Sequence, residues 1–145
     1  MERSRIPLGI LPLIFIFTIW NPSALALHAA STVWNIGTRS TLSLIFLAAR
    51  LIIASVGIAA GMALWFRRPG AVWLAKLSLM LFGLEAVVRL SSGVDAGATP
   101  PGTRLPLAIF VIVHNGAWYV YLHVSGRVRA AYGLESQSPK RRDRP

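Results

Sequence analysis

Five polar residues interrupt long apolar stretches of the sequence and could carry chemistry there. They are Arg50, Glu85, Arg89, His114 and Asn115. An ionisable group at membrane depth costs at least ~2.5 kcal/mol, so it usually faces protein or water and finds a partner. With a rise of ~1.5 Å per residue, Arg50, Glu85 and His114 lie at overlapping depths of about 8 to 14 Å. The spacing therefore predicts one polar cluster, enclosed by the second, third and fourth apolar segments.

Two interpretations of this cluster stay open. In the structural one, Glu85 pairs with Arg50 or with Arg89, which is one helical turn away, and Asn115 bridges helices. In the functional one, Glu85 and His114 titrate and form a path for protons or ions. The structural interpretation is favoured because one acid and one histidine make a short relay.

Sequence signatures of enzymes are missing. The chain has no His-Glu-x-x-His, no Gly-x-Ser-x-Gly and no phosphate-binding glycine loop. His28, His114 and His123 lack metal-ligand spacing, and there is no cysteine. We therefore expect no enzymatic activity, no cofactor and no metal, although a Glu–His pair could in principle serve as acid and base.

The composition identifies the environment in which these residues sit. Of the 145 residues, 54% are hydrophobic and only 14% are charged, whereas a soluble domain has roughly 25% charged residues. This balance excludes a disordered chain and argues against a water-soluble globule. The net charge is +10, and many of the basic residues flank the apolar segments. They are not combined with aromatic residues on which bases could stack, so the charge favours contact with anionic lipid headgroups over binding of nucleic acid.

Four apolar segments are long enough to span a membrane, which takes ~20 residues. They cover approximately positions 6–27, 42–66, 71–90 and 105–124. The predicted fold is an all-α integral membrane four-helix bundle, a single domain over 1–133, followed by a disordered basic tail over 134–145. The mixed segment 22–40 could form a helix in the membrane interface, anchored by Trp34. Lys76 lies near a helix end, where its side chain can snorkel.

The distribution of Lys and Arg predicts the orientation of the bundle. With the N-terminus inside, only Arg39 and Arg104 lie in external segments. Ten basic residues then lie on the cytoplasmic side, namely Arg3, Arg5, Arg67, Arg68, Arg127, Arg129, Lys140, Arg141, Arg142 and Arg144. This bias predicts that both termini are cytoplasmic.

The first apolar segment has a second interpretation. A charged start, an apolar run and Ala24-Leu25-Ala26 resemble a secretory signal peptide with a small-residue cleavage site. Pro7, Pro12 and the bulky Trp20 are unusual in such a peptide, so a retained span is favoured. Cleavage would leave three spans and the same cytoplasmic C-terminus.

The second segment contains Gly57 and Gly61 in a Gly-x-x-x-Gly spacing. Small residues four apart allow two helix backbones to approach closely. The spacing could form a homodimer face, but packing within the protein's own bundle is favoured because this face must pack somewhere.

The end of the fourth segment combines aromatic, hydroxyl and basic residues. Trp118 and Tyr121 lie on one helix face near the cytoplasmic boundary, and Ser125 can bond a carbonyl at the helix end. Arg127 and Arg129 can meet headgroup phosphates and the negative helix terminus. We interpret this segment as a membrane anchor, with a docking site for a cytoplasmic partner as the alternative.

The same residues resemble the closing signature of the YdgK-like family, small four-helix bacterial inner-membrane proteins of unknown function. The shared pattern is Trp-x-x-Tyr-x-x-x-Ser-x-Arg-Val-basic, followed by an aromatic residue, over positions 118–132. The resemblance implies four helices and a basic turn after the second, and it implies no activity. Ala131 and Tyr132 depart from the family's Thr and Phe, and Arg50 stands where the family tends to have an acid.

The sequence thus favours a non-enzymatic accessory or scaffold subunit of the bacterial cytoplasmic membrane. The alternative is a small transporter or proton-coupled carrier that uses the Arg, Glu and His cluster. The expected partners are anionic lipid headgroups and either a membrane protein or further copies of the chain.

Overall fold

The computed structural model describes residues 8–34, 37, 40–92, 100 and 102–133, and these residues contain helices but no strand. Four helices are long and apolar enough to cross a membrane, which confirms the all-α prediction. They are followed by one short helix, α5. The helices are α1 (Leu8–Trp34), α2 (Thr41–Trp65), α3 (Ala71–Ser92), α4 (Arg104–Val124) and α5 (Gly126–Ala131). The predicted tail over 134–145 lies outside the described residues.

Helix α1 is longer than the sequence predicts. The helix continues past position 27, the predicted end of the first span, to Trp34, so no separate interface helix begins at position 22. It passes through a π-helical turn, Ile16–Trp20. Pro22 has no N–H, and its ring would meet the carbonyl of Thr18 in a regular α-helix. The wider π turn fits the ring without a break in the helix.

The ends of α2 have local causes in the sequence. Ser40 caps its start, since the Ser40 hydroxyl accepts a hydrogen bond of 3.2 Å from the Ser43 N–H. At its end the Arg68 N–H donates to the Ala63 carbonyl (2.9 Å) and the Arg67 N–H to the Leu64 carbonyl (3.3 Å). This pattern is a Schellman motif, in which the residue after the cap is left-handed. Arg67 takes that position with φ of 51°.

The helices pack as an antiparallel array in which α2 contacts α3, α3 contacts α4, and α1 lies along α2. The buried apolar residues gather at the end that holds the turn between α2 and α3. We call this region the packed end. Its buried members are Ile10, Leu13, Ile14, Phe17, Ala60, Leu64, Ala71, Val72, Ala75, Leu79, Leu122 and Val128.

Candidate functional site

A cavity of about 200 Å³ directly borders the packed end, whose residues Leu13, Phe17 and Leu79 form part of its lining. We call it the polar cavity. Its apolar walls include Phe17, Phe82 and Val111. Its polar lining consists of Asn21, Arg50, Glu85, Arg89, His114 and Asn115. The structure therefore brings all five residues of the predicted cluster around one space and adds Asn21.

The ion pair inside the polar cavity joins two residues of α3. The Arg89 Nε lies 3.3 Å from the Glu85 Oε1, one helical turn apart. The Glu85 side chain is 6% exposed and that of Arg89 is 23% exposed. The carboxylate is thus withdrawn from the surface of the bundle, and a guanidinium group stands beside it to offset the cost of its burial.

Two residues of α4 complete this side of the cavity. The Asn115 Nδ2 donates a hydrogen bond of 2.8 Å to the Val111 carbonyl in its own helix. This amide nitrogen therefore bonds its own helix and not a neighbouring one, and Asn115 lies beside Gly83 of α3, where an added Cβ would be 3.8 Å from the Asn115 Cβ. The His114 ring stacks on Phe110 with centroids 5.7 Å apart.

Helix α1 also encloses the polar cavity. It contributes Leu13, Ile16, Phe17 and Asn21 to the lining, in addition to the second, third and fourth segments that were predicted to enclose the cluster. Asn21 follows the π turn directly, and the sequence signal that could have identified it is a polar residue beside a proline in an apolar segment. Removal of α1 would open both the cavity and the packed end.

The glycines of the Gly-x-x-x-Gly spacing are buried against helices of the same chain. A Cβ at Gly57 would lie 2.9 Å from the ring of Phe82 in α3. A Cβ at Gly61 would lie 2.5 Å from the Thr18 Cγ2 and 3.2 Å from the Phe17 Cβ in α1. Both glycines allow close approach inside the bundle. This face is covered without a second copy of the chain.

Trp118 and Tyr121 in α4 turn toward the bundle. Their rings meet edge to face with centroids 5.7 Å apart, and Trp118 lines the polar cavity. A Cβ at Gly9 would overlap the Tyr121 hydroxyl, so Tyr121 packs against α1. These contacts differ from the predicted arrangement, in which both rings serve mainly as anchors at the membrane interface.

Ser125 separates α4 from α5 through its backbone. As the residue before α5, it makes no side-chain capping hydrogen bond to that helix; the predicted bond from its hydroxyl to a carbonyl at the end of α4 stays a prediction. Its N–H donates to the Tyr121 carbonyl (3.0 Å), and its carbonyl accepts from the N–H groups of Val128 and Arg129 (both 3.1 Å). Arg127 and Arg129 are exposed, and the Arg129 Nε donates to the His123 carbonyl (3.3 Å).

Tyr132 ties the chain after α5 to the end of α2. Its hydroxyl donates a hydrogen bond of 2.7 Å to the Leu64 carbonyl. Burial raises the pKa of Tyr132 above its usual 10.0, and the positive charge of Arg67 opposes that rise. The Tyr132 hydroxyl therefore makes a tertiary hydrogen bond.

Lys76 contacts α4, although the sequence predicted only that its side chain snorkels toward a helix end. Its Nζ lies 3.2 Å from the His123 Nδ1 and 5.4 Å from the centre of the Tyr119 ring. Tyr119 and His123 are one turn apart on α4, which is the sequence signal for a shared contact. The arrangement joins α3 to α4 near the packed end.

An apolar groove of about 540 Å³ runs between α3 and α4 on the outside of the bundle. Gly83 and Gly116 lie along it with Tyr119 and Val120. A Cβ at Gly116 would meet nothing within 4 Å, so this glycine serves no close contact inside the chain. Asn115 lines both this groove and the polar cavity.

The described residues hold no group of three or more His, Asp or Glu side chains that could bind a metal ion. A scan against protein-family models finds no matching family, and searches of curated proteins and of solved structures find no match either.

Proposed function

We propose that the chain is a non-enzymatic accessory or scaffold subunit of the bacterial cytoplasmic membrane, with both termini in the cytoplasm. The observation that carries this proposal is the groove between α3 and α4, with Gly116 along it. A glycine inside a helix costs about 1 kcal/mol relative to alanine, and Gly116 has no internal neighbour that would use its small size. In a membrane, small residues favour the close approach of another helix.

The test is purification of the tagged chain from native membranes in mild detergent, followed by mass spectrometry. We expect one membrane protein at near-equal stoichiometry with the wild-type chain. Gly116→Leu should remove this partner because the new side chain fills the groove. Ala59→Leu adds a similar bulk to an exposed position on α2 and should retain it. Recovery of the chain alone, or equal recovery with both variants, would contradict the proposal.

The orientation can be tested separately because the chain has no cysteine. Arg68→Cys lies in the turn before α3, and Ser92→Cys lies at the exposed end of the same helix. With cytoplasmic termini, a membrane-impermeant thiol reagent added to whole cells should label Ser92→Cys but not Arg68→Cys. The reverse pattern would overturn the proposed orientation.

The resemblance to the YdgK-like family remains a proposal that rests on residues 118–132. It agrees with a four-helix protein of the inner membrane and adds no activity.

A second candidate function is a small transporter or proton-coupled carrier. The observation in its favour is the grouping of Glu85, Arg89 and His114 around one cavity. The purified chain in proteoliposomes should then carry protons or a solute across the bilayer, and Glu85→Gln should abolish the flux without loss of the folded protein. Absence of flux across a panel of ions and small solutes, with folded protein in the vesicles, would favour the accessory function.

A further inference from the structure

The polar cavity has a partly exposed polar wall and a closed apolar floor. Five of its six polar lining residues are partly exposed on the bundle, namely Asn21, Arg50, Arg89, His114 and Asn115. The sixth, Glu85, is buried. Where the cavity borders the packed end, Leu13, Phe17 and Leu79 are at most 3% exposed. The cavity therefore communicates with the surroundings of the bundle but not through the packed end.

The polar lining extends toward the opposite end of the bundle, where α3 ends at Ser92 and α4 begins at Arg104. We call this region the far end. Arg89 is three residues and Glu85 is seven residues from Ser92, which places them about 5 Å and about 10 Å from the far end at ~1.5 Å per residue. A short distance thus separates the ionisable lining from that end of the helices.

The chemistry of the lining decides what fills the cavity when the bundle lies in a membrane. A charged side chain in contact with hydrocarbon costs at least ~2.5 kcal/mol, so such groups face protein or a water-filled space. A volume of about 200 Å³ corresponds to roughly six water molecules at ~30 Å³ each, and each water needs two to four polar partners. Water is favoured over hydrocarbon whether or not each charged group also has a partner in the protein, because a paired guanidinium or carboxylate retains further hydrogen-bonding sites.

We propose that the polar cavity is an aqueous vestibule, filled from the far end and closed toward the other side of the membrane by the packed end. Water and small hydrophilic solutes then reach Glu85 from one aqueous compartment and are separated from the other. The inference rests on the proposed location of the four long helices in a membrane. It is independent of a partner in the groove between α3 and α4, and of which terminus is cytoplasmic.

The first experiment compares reaction rates of single-cysteine variants of the full chain, which has no cysteine of its own, in liposomes that contain only the purified chain. Val111 lines the polar cavity, whereas Val113 is 63% exposed on the outer face of α4. A charged, membrane-impermeant methanethiosulfonate reagent reacts with thiolate, and apolar surroundings raise the pKa of a thiol. We expect Val111→Cys to react at least about tenfold faster than Val113→Cys, because one pKa unit lowers the thiolate fraction about tenfold.

The second experiment locates the opening and the closed side with a matched pair on α3. Ala86 lines the polar cavity, whereas Ala75 is fully buried at the packed end. The reagent is added to whole cells and to inverted membrane vesicles. Ala86→Cys should react from the side that labels Ser92→Cys and not from the side that labels Arg68→Cys, and Ala75→Cys should react from neither. This result is expected in either orientation of the chain.

The outcomes separate failure of the vestibule from failure of the membrane location. If Val111→Cys and Val113→Cys both react slowly while Ser92→Cys reacts fast, the vestibule is refuted and the membrane location stands. If both react as fast as Ser92→Cys, lipid does not surround α4, and the vestibule fails together with the proposed location. Reaction of Ala86→Cys from the side of Arg68→Cys would overturn the one-sided opening. Since each pair tests the water contact on a different helix, one pair decides where a variant of the other does not fold.

Discussion

The packed end and the polar cavity are neighbouring levels of one bundle, and they are built in opposite ways. At the packed end Phe17 and Leu64 are at most 1% exposed, and Gly61 allows α1 and α2 to approach closely. At the polar cavity the same helices enclose a space of about 200 Å³ that is lined by ionisable side chains. The packed end therefore holds the helices together. Burial of charged groups around the polar cavity costs free energy, and packing at the packed end offsets that cost.

The largest effect that this comparison predicts is at the packed end. Phe17→Ala would remove a fully buried ring and should lower the free energy of unfolding by about 3 kcal/mol. This value is at the lower end of the usual range for such a change, because an apolar detergent or lipid environment also accommodates the ring outside the core. Phe15→Ala is the control, since Phe15 is on the same helix and 49% exposed. Titration with SDS in mixed micelles measures both, and equal losses would contradict a special role for the packed end.

The next effect concerns the ion pair in the polar cavity. Glu85→Gln should lower the free energy of unfolding by about 2 kcal/mol. This loss is smaller than the loss from breaking a fully buried ion pair, because Arg89 is partly exposed. Adding Arg89→Gln should recover most of this loss, since the double variant removes both charges. The same SDS titration measures the single and double variants. If the double variant loses as much unfolding free energy as the sum of the losses in the two single variants, the ion pair is not the cause of the destabilisation.

A smaller effect comes from the hydrogen bond between Tyr132 and the Leu64 carbonyl. Tyr132→Phe should lower the free energy of unfolding by about 1 kcal/mol. Burial raises the pKa of the Tyr132 phenol, so its contribution is fully present below pH 10, the unfolded value, and is lost as pH rises through the folded value.

Unfolding of the wild-type chain and of Tyr132→Phe at pH 7, 9 and 11 checks this dependence. The difference between the two chains should persist at pH 7 and 9 and shrink at pH 11. A difference that is unchanged at pH 11 would exclude the phenol proton as its source.

Much of this architecture follows from patterns that one sequence contains. The limits of the apolar segments predicted the ends of α2, α3 and α4 to within about two residues, because a helix ends where its apolar run stops and where a capping residue such as Ser40 stands. Overlapping depths placed Arg50, Glu85 and His114 near one another, and their common cavity follows from that register.

The features that the sequence did not reveal depend on tertiary contacts. Pro22 lies inside α1, and the π turn before it keeps the helix continuous. The sequence does not specify whether the Asn115 amide nitrogen bonds its own helix or another, and in the structure it bonds the Val111 carbonyl of its own helix. The inward direction of Trp118 likewise depends on α1, which is distant in sequence.

The smallest predicted effect is a gain at the packed end. Arg67 adopts a left-handed backbone with φ of 51°, a conformation that costs a non-glycine residue about 1 to 2 kcal/mol. Arg67→Gly would remove that cost, although glycine also gains entropy in the unfolded chain, so the net stabilisation should be about 0.5 kcal/mol. Arg68→Gly removes the same charge from the same turn without relieving a left-handed residue and should give no gain. If both variants stabilise the chain equally in the SDS titration, charge repulsion in the turn is the cause. A gain confined to Arg67→Gly means that the packed end holds α2 and α3 at their junction firmly enough to impose this conformation on an arginine.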